Sequence, residues 1–407
     1  MKDQEIQQLI KKEMERQKET IDLIPSENYS SSQVFEALGS VLCNKYAEGY
    51  PRKRYYQGNA VVDEVEELAQ KRGLELYGLS PDEWSLNVQP LSGSPANLAV
   101  YLALLPPGEK VMGMQLDMGG HLTHGQKVSV TGKLWTQVPY GVSRDTERLD
   151  YDELMKLAKK EKPKMIIAGY TAYSPAIDFK KFREIADAVD AYLIADVSHL
   201  AGIIAGGAYP SPFPHAHVVT TTTHKTLRGP RSAVIFSQKE LSKQIDKTVF
   251  PGLQGGPHEH QIAAVATTFY EAMQPGFKKY AHQIVKNAQA LADELEKLGW
   301  RIVSGGTDSH LMLVDTADRK IGGKEAAVEL EKANIVTNMN TIPYDPRPPM
   351  DPSGIRIGSP ACTTRGMKEP EMQQIAKWID EVLSKKRTPD EVRKDVLAMC
   401  EKFPLEY

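Results

Sequence analysis

The chain has 407 residues, of which 41% are apolar, and a formal net charge of −3. This length allows two domains with sizeable cores. Because acidic and basic residues are interspersed, the sequence lacks the basic stripe typical of nucleic-acid-binding proteins, and no nucleic-acid partner is expected. No stretch is apolar for long enough to cross a bilayer, so no membrane partner is expected either.

The N-terminal stretch is charged throughout, with apolar residues such as Ile6 and Leu9 at helical spacing. This pattern predicts an amphipathic helix and excludes a secretory signal or transit peptide. The three cysteines, Cys43, Cys362 and Cys400, form no CxxC pair and leave one odd thiol, which argues against a disulfide framework. We therefore expect a cytoplasmic protein.

A turn-rich, aromatic stretch follows, in which PSENYSS precedes NKYAEGYPRKRYYQGN. It is too polar for a core and too rich in tyrosine for a linker. The composition therefore predicts a surface that contacts a ligand or a partner.

From about residue 85, short apolar runs alternate with helical periods. The predicted strands are VMGMQL, PKMIIAGYTAY, AYLIADVSH, HVVTTTTHK and SAVIFS, and the predicted helices include LDYDELMKLAKK and KKFREIADAV. This alternation predicts an α/β domain with a mainly parallel sheet covered by helices. Ligands in such folds bind at the carboxyl ends of the strands, where Asp196 and Lys225 both lie.

Near Pro275 the pattern changes to one long amphipathic helix. Beyond it WRIVSGG, HLMLVDT and SGIRIGS read as strands, and GKEAAVELEKAN and PEMQQIAKWIDEVL read as helices. We therefore predict three parts: an N-terminal helix and arm over residues 1–84, a large domain over residues 85–275, and a smaller C-terminal α+β domain over residues 276–407.

Two ionisable side chains at strand ends are candidates for catalytic roles. Lys225 follows the run TTTTH, and an amine held at a ligand-binding edge could act as a Schiff-base nucleophile; a surface lysine is the alternative. Asp196 ends LIADVSHL, three residues before His199. Its carboxylate could pair with the protonated ring nitrogen of a pyridoxal cofactor, or it could cap the next helix.

Two further motifs suit a phosphorylated aromatic ligand. QPLSGSPANLAVYLALL places Ser92, Gly93 and Ser94 before an apolar helical run, so backbone N–H groups and hydroxyls would face an anion such as phosphate. An ordinary capped helix is the alternative. In GGHLTHG the ring of His121 could stack on an aromatic cofactor, or His121 and His124 could form a metal pair. No third ligand has suitable spacing, so the sequence predicts no metal.

Arg356 lies between small residues in the predicted strand SGIRIGS. A guanidinium there could hold a substrate carboxylate through two parallel hydrogen bonds. A structural ion pair between domains is the alternative.

Together these segments resemble the serine hydroxymethyltransferases, pyridoxal-phosphate enzymes with the aspartate-aminotransferase type of fold (fold type I). The matching text covers nearly the whole chain in order: LIPSENYSS, NKYAEGYPRKRYY, NVQPLSGSPAN, GGHLTHG, DVSHLAG, VVTTTTHKTLRGPR, FPGLQGGPH, SGGTDSHL and SGIRIGSPA. The resemblance implies reversible transfer of the serine hydroxymethyl carbon to tetrahydrofolate, giving glycine and 5,10-methylenetetrahydrofolate. It also implies pyridoxal 5′-phosphate as cofactor, and a homodimer with shared active sites, with a tetramer left open.

The resemblance also implies roles at the cofactor. Lys225 would bond to it covalently, Asp196 would pair with its ring nitrogen, and His121 would stack on its ring. His199 would border its phenolic oxygen, and Thr171 would lie near the ring. The implied phosphate contacts are Ser92, Gly93 and Ser94, with Tyr46, Gly255 and Gly256 contributed by a neighbouring subunit.

For the substrates, the resemblance implies that Ser26 and Arg356 hold the amino-acid carboxylate. Glu48, which lies among several tyrosines, would donate a proton beside the serine hydroxyl and the folate; from the residues alone it could equally be a solvated loop acid. The implied folate contacts are Leu116, Gly120, Tyr56 and Asn340.

The chain departs from the usual family text at four positions: Gln57, Val197, Ser198 and Met339 replace glycine, methionine, alanine and lysine. None removes a named chemical role, although Met339 bears on folate affinity because it adjoins Asn340.

Two other functions remain as alternatives. One is a folate-independent aldolase or transaldolase acting on β-hydroxy amino acids, against which the retained Glu48 and Asn340 argue. The other is a nonenzymatic binding protein on the same scaffold, for example one associated with RNA. The intact cofactor-binding residues and the lack of a basic patch argue against it.

Overall fold

The structure is a computed structural model that describes residues 2–405. Its α-helices are α1 (Gln4–Lys18), α2 (Ser32–Leu38), α3 (Ala60–Leu76), α4 (Gly93–Leu104), α5 (Val130–Leu134), α6 (Tyr151–Glu161), α7 (Phe179–Asp187), α8 (Ala201–Ala205), α9 (Lys239–Lys247), α10 (Glu259–Ala272), α11 (Pro275–Lys297), α12 (Gly323–Lys332), α13 (Pro360–Thr364), α14 (Glu369–Leu383) and α15 (Pro389–Lys402). Its strands are β1 (Ile21–Asp22), β2 (Gly49–Tyr50), β3 (Lys53–Arg54), β4 (Trp84–Asn87), β5 (Lys110–Met114), β6 (Thr136–Tyr140), β7 (Met165–Gly169), β8 (Tyr192–Asp196), β9 (Val218–Thr222), β10 (Ala233–Gln238), β11 (Arg301–Ile302), β12 (Leu311–Asp315), β13 (Ile335–Val336), β14 (Asn338–Asn340) and β15 (Gly354–Gly358).

Residues Asn28–His282 form one compact unit around a seven-stranded sheet with the strand order β4-β10-β9-β8-β7-β5-β6. Strands β5 to β9 pair in parallel, whereas β10 is antiparallel to both of its neighbours. Strands β7 and β9 are buried at every position, as expected for a sheet covered on both faces. The predicted mainly parallel α/β fold is confirmed.

The stretch up to Glu27 and the residues from Gln283 onward form a second compact unit. Its four-stranded antiparallel sheet has the order β11-β12-β15-β14. The N-terminal segment belongs here because Ile21 pairs with Ile335 across β1 and β13. This two-part division groups the N-terminal helix with the C-terminal strands, unlike the three-part division predicted from the sequence.

The long helix predicted near residue 275 is α11, which begins at Pro275 and runs for 23 residues. Its apolar face contributes Ala288, Leu291 and Leu295 to the core of the second unit. Among residues 2–405, none of the helices is both long and apolar enough to span a bilayer.

Candidate active site

The predicted site residues of the large unit follow the carboxyl ends of neighbouring strands. Strand β8 ends at Asp196 itself, and β9 ends three residues before Lys225. The loop that carries His121 follows β5, and the residue Thr171 follows β7. Because these strands are parallel, their carboxyl ends share one edge of the sheet, where α/β proteins bind ligands.

The carboxylate of Asp196 is buried at this edge and accepts several hydrogen bonds. Its Oδ2 atom accepts hydrogen bonds from Nε2 of His124 at 3.0 Å and Nδ2 of Asn97 at 2.8 Å. Its Oδ1 atom accepts from the backbone N–H and the hydroxyl of Ser198, at 3.1 and 2.6 Å. Burial favours a raised pKa for Asp196, but the hydrogen bonds from His124 and Ser198 and the charge of His124 outweigh it, so its pKa lies well below the usual range.

The sequence left open whether Asp196 caps the next helix. Helix α8 begins at Ala201 with Leu200 at its N-cap. Asp196 therefore does not cap that helix, and the capping alternative is wrong.

A chain of hydrogen bonds runs from Asp196 to His121. Asn97 donates to Asp196 and, through the same Nδ2 atom, to the Thr123 hydroxyl at 2.9 Å. The Thr123 hydroxyl lies 2.7 Å from Nδ1 of His121. Oδ1 of Asn97 accepts from the Thr220 hydroxyl at 2.7 Å, which fixes the amide orientation and, with it, the position of the His121 ring.

The ring of His121 is neutral near pH 7. Burial lowers its pKa to about 4, and the charges of His124 and Lys225 act in the same direction, whereas that of Asp196 opposes them. These interactions place Lys225 and Asp196 within electrostatic range of the same ring. A neutral imidazole can lie against an aromatic cofactor without losing the hydration of a charged group.

The metal alternative gains a third ligand in space. The ligand atoms of His121, His124 and Asp196 lie within 4.8 Å of one another, although 72 residues separate His124 from Asp196 in the chain. However, Nε2 of His124 and Oδ2 of Asp196 are hydrogen-bonded to each other, and His124 is thereby the positioning partner of Asp196. That the site uses no metal stays a prediction.

The predicted phosphate site lies at the start of α4. Ser92 occupies the N-cap but its side chain makes no capping hydrogen bond, which disfavours the ordinary-cap alternative. Ser92 and Ser94 are exposed. A Cβ atom on Gly93 would lie 2.9 Å from Cγ2 of Thr222, so glycine keeps this approach open.

Lys225 and His199 are fixed through their backbones. The carbonyl of Lys225 accepts from Nδ2 of Asn28 at 2.8 Å, and the carbonyl of the buried His199 accepts from the Thr226 hydroxyl at 2.9 Å. Beside Lys225, the buried Nδ1 atom of His224 has no hydrogen-bond partner. Such an orphaned polar atom suits a ligand-binding pocket.

Thr171, Gly120 and Leu116 also lie together. The Thr171 hydroxyl donates to the carbonyl of Gly120 at 2.9 Å. A Cβ atom on Gly120 would lie 2.0 Å from the carbonyl oxygen of Met114, so only glycine fits there. Leu116 begins the short helical turn that follows β5 and is half-buried.

A second group, which we call the Tyr46 patch, contains Tyr46, Glu48, Tyr56, Gly255 and Gly256. Cβ atoms on Gly255 and Gly256 would lie 3.2 Å from Oε1 of Glu48 and 3.2 Å from Cε1 of Tyr46. The Tyr46 and Tyr56 ring centroids are 5.1 Å apart, and the charge of Glu48 raises the pKa of Tyr56. Tyr46 is 54% exposed, so the patch is a surface feature.

The smaller unit holds the remaining predicted residues. Nε of Arg356 donates to Oδ1 of Asn338 at 3.1 Å, and Nη2 of Arg356 lies 3.5 Å from the Ser26 hydroxyl. Burial lowers the pKa of Arg356 to about 10, so it stays charged at neutral pH. Asn340 lies two residues beyond Asn338 in β14.

The sequence did not predict the three residues that donate hydrogen bonds to Asp196. It suggested His124 only as a metal ligand and Ser198 only as a departure from a family pattern. It did not indicate Asn97. The one available signal was the position of His124 in HLTH. Nothing in the sequence shows that Asn97 points at a strand end 99 residues away.

Comparisons with known proteins identify the family. A family model described as serine hydroxymethyltransferase matches residues 1–379. The chain belongs to the serine hydroxymethyltransferase family. Curated proteins with that name include those of Acidothermus cellulolyticus, 55% identical over 96% of this chain and 90% of the relative, and Phenylobacterium zucineum, 54% identical over 99% and 95%. That of Koribacter versatilis is 53% identical over 99% and 94%.

Membership of the serine hydroxymethyltransferase family establishes the activity. The chain is a pyridoxal-phosphate-dependent transferase that moves the hydroxymethyl carbon of serine reversibly to tetrahydrofolate, giving glycine and 5,10-methylenetetrahydrofolate. It binds serine, glycine and folate, and nothing in the comparisons favours the folate-independent aldolase.

Proposed function

We propose that the carboxyl edge of the seven-stranded sheet is where this chain carries out the transfer, with Lys225, Asp196 and His121 as its central residues. The observation that carries the proposal is the buried carboxylate of Asp196 held by four hydrogen bonds. A buried carboxylate that its own hydrogen bonds keep ionised can stabilise a cation placed beside it, and a protonated pyridine nitrogen is such a cation.

The residues fit pyridoxal 5′-phosphate. Asp196 would hold the proton on the ring nitrogen, and the uncapped start of α4 at Ser92, Gly93 and Ser94 would hold the phosphate. The buried Nδ1 atom of His224, which has no partner, lies next to Lys225 in the chain. When bound, the cofactor supplies an electron-withdrawing ring that stabilises negative charge at the amino-acid α-carbon.

The chain's own side chains would do the rest. Lys225 would hold the cofactor covalently through its side-chain amine. His121, neutral and fixed by Thr123, would pack against the ring. Thr171 and His199 would border it.

Arg356 and Ser26 would hold the substrate carboxylate. Asn338 orients the guanidinium by accepting from its Nε, and the planar fork of a guanidinium matches the two oxygens of a carboxylate. Fixing the carboxylate selects which bond at the α-carbon breaks. The proposed folate contacts are Leu116, Gly120, Tyr56 and Asn340.

The Tyr46 patch would serve the site of a neighbouring subunit in a homodimer. Tyr46, Tyr55 and Tyr56 are 54%, 80% and 43% exposed, and their rings pack against one another. A contiguous exposed patch of large side chains is typical of a surface that meets a partner. Glu48 would then act as proton donor at the serine hydroxyl, and Tyr46, Gly255 and Gly256 would reach the cofactor phosphate.

A two-part experiment tests the proposal. Replacement Lys225→Ala should abolish both the yellow colour of the bound cofactor and folate-dependent turnover, whereas replacement of the exposed Lys243 by alanine should change neither. If Lys225→Ala keeps the colour and the turnover, the catalytic edge lies elsewhere.

The shared site is tested by mixing two inactive variants, Lys225→Ala and Glu48→Gln. If sites are shared, each mixed dimer has one site with both residues intact, and random mixing restores about a quarter of wild-type activity. If each site is built from one chain, mixing restores nothing.

We also propose that the chain works in the cytoplasm. All three cysteines, Cys43, Cys362 and Cys400, are free thiols, which suits a reducing compartment.

A further inference from the structure

A buried charge cluster lies behind the segment that carries Glu48. Nε of Arg54 lies 2.8 Å from Oδ1 of Asp63, and its Nη2 lies 2.5 Å from Oε1 of Glu66 and 3.8 Å from Oε1 of Glu259. The four side chains are at most 8% exposed. Three carboxyl groups thus share one guanidinium away from water.

Glu259 is the unsatisfied member of this cluster. It is 1% exposed, and neither of its carboxyl oxygens has a hydrogen-bond donor. The carboxyl of Glu66, by contrast, accepts from Arg54 and from Nε2 of Gln89 at 3.1 Å. The two carboxyls meet at the same atom, since Nη2 of Arg54 lies 2.5 Å from Oε1 of Glu66 and 3.8 Å from Oε1 of Glu259. Burial disfavours two negative charges so close to one cation, so one of the two carboxyls should be protonated.

The same cluster donates hydrogen bonds to the backbone on both sides of Glu48. Nη1 of Arg54 donates to the carbonyls of Ala47 at 2.8 Å and Gly49 at 3.0 Å. Nε2 of Gln89, which also donates to Glu66, donates to the Gly49 carbonyl at 2.9 Å. The carboxyl of Glu66 therefore orients both side chains that fix this segment.

We propose that Glu259 and Glu66 share one proton, with Glu259 as the donor, and that this acid pair is a positioning device that holds Arg54 and, through it, Glu48. The positioning role rests on the proposed function of Glu48. A proton between the carboxyls gives Glu259 a hydrogen bond and leaves the negative charge of Glu66 for Arg54.

The surrounding charges favour a neutral Glu259. Burial and the charge of Glu66 raise its pKa to about 9, against the smaller opposing effect of Arg54. As the first residue of α10, Glu259 also feels a helix terminus that favours a negative charge, but that effect is small beside burial. The other titratable groups around the pair are Asp63 on α3, Tyr50 on β2 and Asp246 on α9.

The shared proton has a measurable signature. In the unfolded chain Glu259 releases its proton near pH 4.3, whereas in the fold it keeps it up to about pH 9. The free energy of unfolding therefore falls as pH rises between these values. Glu259→Gln keeps a donor for Glu66 but cannot ionise.

We compare the melting temperatures of the Glu259→Gln and wild-type holoenzymes at each pH. The variant's melting temperature minus that of wild type should increase as pH rises from 5 to 9. The matched control is Glu64→Gln, which changes an exposed carboxyl on the same helix as Glu66 and should follow wild type throughout. If Glu259→Gln runs parallel to wild type as well, the shared proton is excluded.

The positioning role is tested by kinetics. Glu259→Ala removes the donor and should lower kcat at least about tenfold while KM for serine changes less, and Glu259→Gln should restore kcat to within about twofold of wild type. Equal kcat in all three proteins would exclude positioning. If Glu48→Gln itself turns over normally, the proposed role of Glu48 fails, but the pH-dependent melting difference of Glu259→Gln stands independently.

Discussion

Nε2 of His124 lies 3.0 Å from Oδ2 of Asp196, and both side chains are buried. Asp196 thus has a fixed donor on the oxygen that it also shares with Asn97. Because the carboxylate is buried with its donors in place, its orientation is set before any ligand arrives, which is the arrangement expected of an electrostatic partner for a cofactor.

Replacement of His124 by alanine should weaken the fold. It leaves the buried Oδ2 of Asp196 with the single donor Asn97, and losing a hydrogen bond to a buried charge costs about 1.5–3 kcal/mol. Chemical denaturation should show a corresponding fall in the free energy of unfolding. The exposed His282 is the control; a His124→Ala loss no larger than that of His282→Ala would contradict the prediction.

Ser198→Ala should reduce cofactor affinity more than turnover. The hydroxyl donates to Oδ1 of Asp196 at 2.6 Å and accepts from the backbone N–H of Thr222 at 3.2 Å, so its loss loosens Asp196 while His124 remains. We expect about a tenfold rise in the cofactor dissociation constant, equivalent to about 1.4 kcal/mol, measured by fluorescence titration. Ser242→Ala on the surface of α9 should leave the constant unchanged.

Gly93→Ala should obstruct the start of α4. The added Cβ would lie 2.9 Å from Cγ2 of Thr222, and such overpacking typically costs about 1–3 kcal/mol. The cofactor dissociation constant should rise about tenfold or more. Gly276→Ala is the matched control in another helix because its Cβ would meet nothing within 4 Å; equal affinities for the two variants would refute the prediction.

The neutral His121 should make the fold sensitive to acid. Its pKa is about 4 in the fold and about 6.5 in an unfolded chain, so the unfolded chain alone gains this proton as pH falls from 6.5 to 4. The free energy of unfolding should fall by up to about 1.4 kcal/mol per pH unit through this group. His121→Asn, compared with wild type after removal of cofactor, should flatten that slope; unchanged slopes would show that His121 is charged.

Arg356→Lys should impair use of serine. Lysine cannot reproduce a two-pronged carboxylate contact, and losing one charged hydrogen bond of about 1.5–3 kcal/mol corresponds to about a 10- to 100-fold loss in kcat/KM. Steady-state kinetics with varied serine measures it. Arg393→Lys, at an exposed position of α15, should behave as wild type, and an Arg356→Lys enzyme that does so too would exclude a role in carboxylate binding.

The sequence predicted the parallel sheet well because buried strands such as β7 are short apolar runs, and it placed Asp196 at the end of a strand. It could not predict that β10 reverses direction, because a buried antiparallel strand carries the same apolar pattern as a parallel one. The pairing of Ile21 with Ile335 also left no local signal, since two residues are too few for a period.

The sequence predicted which residues belong to the candidate site, but it did not predict the hydrogen bonds between them. His124 and Asn97 reach Asp196 from segments 72 and 99 residues away, and only the folded chain shows convergence of that kind. Ser198 lies two residues beyond Asp196 in the same loop. The Tyr46 patch likewise joins segments about 200 residues apart, since Gly255 meets Glu48 only in space.

The smaller unit is assembled from both ends of the chain, with Nδ2 of Asn334 donating to the carbonyl of Glu19 across 315 residues. At ribosomal rates of about 5–20 residues per second, the N-terminal segment waits on the order of 15–60 seconds for its partner to be synthesised. During that time the residues of the seven-stranded sheet emerge first and can fold around β5 to β9. Until late in translation, the nascent chain therefore carries an unpaired N-terminal strand. Throughout that period the strand is accessible to proteases and chaperones.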